Sequence, residues 1–193
     1  MTYLGKSEIA RRAREVLSKY WDGKFPVDVE MICDKLGVGI LPVPNLAEIF
    51  HVDAYIAVDF KVIYVDEDEF KKESYRYRFS VAHELGHLIL HRKYYPNDVG
   101  DLRRWINISY RVVNDFAEYQ ANYFAGSLLA PEDELMWMIN KEFGGSFVRN
   151  YWNASPSEIW NNFEKIRKYL MVSEQVIARR MYDMFPGVGE DIY

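Results

Sequence analysis

The chain has 193 residues, with 24 Lys and Arg against 29 Asp and Glu for a net charge of -5, and it is 49% hydrophobic and 27% charged. That balance fits one globular domain, or one domain with a small appendage, and excludes wholesale disorder and collagen-like repeats, while the acidic charge argues against, without excluding, a chain living on unspecific phosphate contacts. No window approaches 18 consecutive apolar residues, Met1 to Lys6 lacks the order of a signal peptide, and the single Cys33 cannot close an internal disulfide, so a cytoplasmic protein without a membrane partner is expected.

Along the chain, Ser7 is placed to cap a helix from Glu8 to Trp21, where Ile9, Ala13, Val16, Leu17 and Tyr20 recur at helical spacing. Asp28 then opens a short helix over Val29 to Leu36, Gly37 closes it, and the branched run Val38 to Val43 reads as a strand. After the breakers Pro42, Pro44 and Asn45, the runs Ala54 to Val58 and Lys61 to Val65 are short enough to pair as a hairpin. A helical block follows from about Ser74 to Arg92, then a polar and aromatic connection from Tyr94 to Tyr110, then a helix over about Val113 to Leu129. Pro131, Glu132 and Asp133 begin a helix to about Phe143, stopped by Gly144 and Gly145. Ser155, Pro156 and Glu158 form a capping box for a helix to about Leu170, and Ser173 caps the last, Glu174 to Met184. The fold class expected is α+β: mainly helical, with a small three-stranded sheet near the front and a helical C-terminal tail.

The chemistry concentrates at positions 83 to 91, HELGHLILH, where His83, Glu84 and His87 make an HExxH pattern. Residues four apart stack on one helix face, so two imidazoles can share one Zn²⁺ while the intervening Glu reaches its water. Three fixed positions arise by accident in roughly one chain in two hundred, so the surroundings must carry weight. With about 100° per residue, Val81, Ala82, Leu88 and Ile89 lie near Leu85 as an apolar stripe, and His83 and His87 fall on the opposite side. A helix satisfied on one face and bearing both histidines on the other is poised to meet a second layer there.

A catalytic zinc site needs a third protein ligand and an open position. The metzincin pattern asks for Gly at position 90 and His at 93, where Leu90 and Lys93 stand, so that class is excluded. His91 lies too far along the helix from His83 to share one ion and reads as a supporting residue behind the ligands. The helix ending at Leu129 offers Glu118 as third ligand, on a face with Ala121, Asn122 and Ala125 whose small residues permit close approach. Asn122 could orient the site from behind, and Asp115 competes with Glu118 for the ligand position. His51 and Tyr123 are both conceivable donors to a developing oxyanion.

The strings RFSVAHELGHLILH, Arg78 to His91, and EYQANYFAGSLLAP, Glu118 to Pro131, closely resemble the ImmA/IrrE family of zinc metallopeptidase-like proteins. An HExxH helix followed by a helix bearing E-x-x-A-N-x-F-A and ending in Pro is matched in order and spacing. The resemblance implies a gluzincin-like site in which His83, His87 and Glu118 bind the metal and Glu84 is the catalytic acid/base. It further implies cleavage of a helix-turn-helix repressor, in mobile-element or phage regulation or in a stress response. Without thiolates in the site, Mn²⁺ or Fe²⁺ could replace Zn²⁺.

Residues 1–150 are expected to form the zinc-peptidase-like domain and 151–193 a helical extension packed on it. A second class of function is a metal-binding regulatory or DNA-binding module without efficient proteolysis. The helices around MVS at 171 to 173 have a helix-turn-helix outline, but Met171 replaces the turn Gly, Arg167 the usual small residue, and the acidic net charge argues against direct DNA contact. The Tyr94 to Tyr110 connection is longer than packing requires, which points to a border of the cleft that selects the substrate.

Overall fold

A computed structural model describes residues 4–57, 59–72, 74–94, 115–145 and 147–185. Helix α1 (Lys6–Tyr20) starts at Gly5, whose carbonyl accepts from the Glu8 and Ile9 amides; Ser7 lies inside the first turn and is not the cap. Helix α2 (Val29–Leu36) is capped by Asp28, which accepts from the Met31 amide, and ends at Gly37 with φ 72°, a left-handed position that Gly adopts without strain.

Strands β1 (Gly39–Val43), β2 (Ala54–Ile56) and β3 (Val62–Asp66) form one sheet of order β1-β3-β2. β1 runs parallel to β3 with Ile40 opposite Ile63, and β2 runs antiparallel to it with Tyr55 opposite Tyr64. The hairpin leaves β2 at the sheet edge. Helix α3 (Leu46–Phe50) fills the crossover from β1, and α4 (Glu67–Lys71) follows β3. Asp66 ties the two together: its carboxylate accepts from the Ala47, Asp68 and Glu69 amides.

Helix α5 (Tyr75–His91), capped by Ser74, packs against β2 and β3 on one side and against α6 (Asp115–Leu129) on another. Val81, Ala82 and Leu85 are buried in the core as the apolar stripe requires, while Leu88 and Ile89 are only partly covered. Leu90 is buried in their stead. Helix α1 packs across α6, and Ile9, Ala13, Ile32, Ile63, Phe124 and Leu128 join one hydrophobic core.

The closing helices are α7 (Glu132–Phe143), α8 (Phe147–Asn153), α9 (Pro156–Leu170) and α10 (Glu174–Met184). The Ser155–Glu158 capping box forms with Pro156 in the first turn, and α9 packs on α7 and α10. Arg78 of α5 reaches the Met171 carbonyl, Arg180 of α10 donates to the Ala130 carbonyl at 3.1 Å, and Lys6 of α1 pairs with Asp183 at 2.6 Å. Among the described residues no helix is long and apolar enough to cross a membrane.

Candidate metal centre

The close approach of α5 and α6 creates the site. At Gly86, between the two histidines, an added Cβ would lie 3.0 Å from the Ala121 Cα and 3.1 Å from its carbonyl oxygen. Only a glycine facing an alanine permits that separation, and it brings Glu118, one turn before Ala121, over His83 and His87. The helical wheel foresaw a second layer on this side; α6 is that layer.

The ring nitrogens Nε2 of His83 and His87 stand 3.0 Å apart, and the Glu118 carboxylate lies 3.1 Å from the first and 3.2 Å from the second. Tetrahedral ligands at about 2.0–2.1 Å from an ion are separated by roughly 3.3 Å, so these three donors are already near the spacing that one small divalent cation requires. His83, His87 and Glu118 are positioned to bind a metal ion. The side chain of Asp115, the competing ligand of the sequence reading, lies outside the described residues.

The electrostatics agree with the geometry. Burial works against ionising Glu118, but the hydrogen bonds and charges of His83 and His87 outweigh it and hold its carboxyl well below the ordinary range. For His83, burial opposes the charge, while Glu118 and Glu84 overcome it and raise the pKa. Two imidazoles gathered on one ionised carboxylate form the donor set a cation would take over.

Glu84 lines the same cleft and is 8% exposed. Burial raises its pKa above the usual carboxylate value. One oxygen, Oε2, accepts from the Ile56 amide at 2.8 Å. That contact follows from the sheet: Asp53 and Ala57 exchange hydrogen bonds with β3, so alternation turns the main chain of Ala54 and Ile56 outward, toward α5. The sequence contained no sign of this amide.

Both supporting residues of the sequence reading touch the histidines. Asn122 Oδ1 lies 2.9 Å from Nδ1 of His83, and His91, fully buried, has Nδ1 3.0 Å from Nδ1 of His87. His91 in turn meets Oε1 of Gln120 at 3.2 Å, a residue the sequence reading passed over. Its position, about 160° around α6 from Glu118, looks like a solvated flank in a wheel centred on the ligand.

The cleft measures about 580 Å³ and is bordered by the donors, by Ala54, Tyr55 and Val52, and by Phe79. His51 lines it, whereas Tyr123 lines an adjacent hollow with Arg179 and Arg180. Of the expected substrate-selecting connection, Tyr94 ends a short 3₁₀ turn after α5 and residues 95–110 lie outside the described residues.

Comparison with curated proteins finds no match. The profile of the Peptidase M78 family, described as the IrrE N-terminal-like domain, matches residues 33–182. That span runs from α2 into α10 and takes in the sheet, the histidine helix and Glu118, well over half of the chain. The chain belongs to the IrrE N-terminal-like M78 peptidase family.

Proposed function

We propose that this chain is a zinc-dependent endopeptidase that cuts one specific protein, a helix-turn-helix transcriptional repressor, with His83, His87 and Glu118 as ligands and Glu84 as acid/base. The observation that carries the reading is the buried Glu84 carboxylate lining the same cleft as a three-donor set of metal spacing. A bound Zn²⁺ supplies Lewis acidity, polarising a peptide carbonyl and making water acidic near neutrality. Glu84, held through Oε2 by the Ile56 amide, would use Oε1 to take a proton from a water in the cleft and pass it to the leaving amine.

A peptide, rather than a small molecule, suits the cleft wall. The outward main chain of Ala54 offers an N–H and a C=O to an extended chain laid along the sheet edge. Beside it Val52 and Tyr55 border the cleft and expose apolar surface suited to the side chains of a protein partner, and Ile49 and Phe50, just before them in the chain, are exposed as well.

The test is incubation of the metal-loaded chain with purified helix-turn-helix repressors from the same genome, read by intact mass. A single internal cut in one repressor, blocked by a chelator and restored by Zn²⁺, is the expected result. A chain that cuts unrelated unfolded peptides but no repressor would overturn the substrate assignment, and one that cuts nothing would overturn the peptidase reading.

A further inference from the structure

The hydrogen bonds behind His87 carry a direction. Nδ1 of His87 faces Nδ1 of His91 at 3.0 Å, and Nε2 of His91 faces Oε1 of Gln120 at 3.2 Å. A neutral imidazole has one N–H and one lone pair, so a choice made at one end passes along the row. With the Gln120 carbonyl oxygen toward His91, Nε2 of His91 donates and its Nδ1 accepts. Nδ1 of His87 then donates, so that when its Nε2, 3.2 Å from the Glu118 carboxylate, gives up that contact for a cation, it presents the lone pair a metal needs. Turning the Gln120 amide end for end reverses every step and points an N–H of His87 at the metal position.

We propose that Gln120 is a positioning residue of the metal centre, acting through His91 to select the metal-competent tautomer of His87. The inference rests on the assignment of His87 as a ligand. A second observation supports it independently: Gln120 is fully buried, and its Nε2 has no hydrogen-bond partner among the described residues. A buried amide left half-paired lowers stability, and an apolar side chain of the same shape would not. A side chain that costs stability in the core while making one bond toward the site marks a functional constraint. Helix α6 then serves both histidines, with Asn122 behind His83, Gln120 behind His87 through His91, and Glu118 between them.

Gln120→Met keeps the length and volume of the side chain and removes the acceptor. The Zn²⁺ affinity of the full chain, measured by competition with a chelator, is expected to fall about tenfold. The metal-free variant is expected to melt at or above the wild-type temperature, because the unpaired amide is gone. In a His91→Phe background, adding Gln120→Met is expected to cost no further affinity. Long-range ¹⁵N spectra of the metal-free chain give a reading independent of binding: His91 is a single Nε2–H tautomer in wild type and a mixture in Gln120→Met. Wild-type affinity with an unchanged tautomer in Gln120→Met overturns the proposal. So does a second tenfold loss on top of His91→Phe, or a melting temperature that falls in step with affinity. A His87→Ala chain that retains wild-type affinity overturns instead the ligand assignment beneath it.

Discussion

Replacing Gly86 by Ala should damage the metal site more than the fold. The new Cβ would meet the Ala121 Cα at 3.0 Å, its carbonyl oxygen at 3.1 Å and its Cβ at 3.3 Å, and two of these three are backbone atoms that cannot swing aside. Carbon atoms pack best at about 3.5–4.0 Å, so α6 must withdraw by roughly 0.5 Å or more. Overpacking of this kind costs about 1–3 kcal/mol, and the gain in helix propensity from Gly to Ala returns about 1 kcal/mol. Net stability should therefore drop by no more than about 2 kcal/mol. Glu118 sits one turn from Ala121 and retreats with the helix, while metal–ligand distances tolerate only about 0.2 Å. Zn²⁺ affinity should fall at least tenfold, about 1.4 kcal/mol. Gly126 is the control: a Cβ there meets only the Arg180 Cδ at 3.6 Å, an ordinary contact, so Gly126→Ala should raise stability by up to about 1 kcal/mol and leave affinity unchanged. Chelator competition and thermal melting on both variants decide the matter. Wild-type Zn²⁺ affinity in Gly86→Ala, or equal responses of the two glycines, would refute the argument that helix separation sets the site.

Three further outcomes are expected. His83→Ala and Glu118→Ala should each lose the bound metal, as measured by elemental analysis of purified protein; unchanged metal content in both removes the site. Asp66, held below its ordinary pKa first by the Ala47 amide and then by those of Glu69 and Asp68, contributes stability that is present above the unfolded value near 3.9 and is lost as pH falls below it. Asp66→Asn should cost about 1 kcal/mol at neutral pH and flatten the acid limb of the stability curve, and an unaltered acid limb would contradict this. Cys33 is buried, and burial pushes its thiol up to about 12, so iodoacetamide at pH 8 should alkylate it only after unfolding; rapid labelling of the native chain would contradict its packing.

The long elements were legible because each carried both a period and a stop. Asp28 with Gly37, Ser74 before the histidine helix and the Ser155 box all cap the helices that the apolar spacing outlines. The helices α3, α4 and α8, of five to seven residues, escaped because so short a segment shows no period and depends on its neighbours. Ser7 misled because a serine inside a first turn looks the same in sequence as one before it, and Gly5 does the capping through its carbonyl. For the site, two histidines at helical spacing and a Glu beside small residues were visible on single helices. The Ile56 amide on Glu84 and Gln120 behind His91 were not, because each contact joins elements far apart in the chain and depends on sheet register or helix rotation.

The account turns on Glu84 moving a proton beside a bound metal, and Glu84→Gln tests that most directly, since the amide keeps the shape and can still accept from the Ile56 N–H. Both proteins would be loaded with Zn²⁺, assayed for metal by elemental analysis, and incubated with a pool of unfolded peptides and with the candidate repressors, new termini being counted by mass spectrometry. New termini are expected only with wild type, while the variant holds an equal amount of metal. Equal cleavage by the metal-loaded Glu84→Gln protein would contradict the assignment of Glu84 as the acid/base.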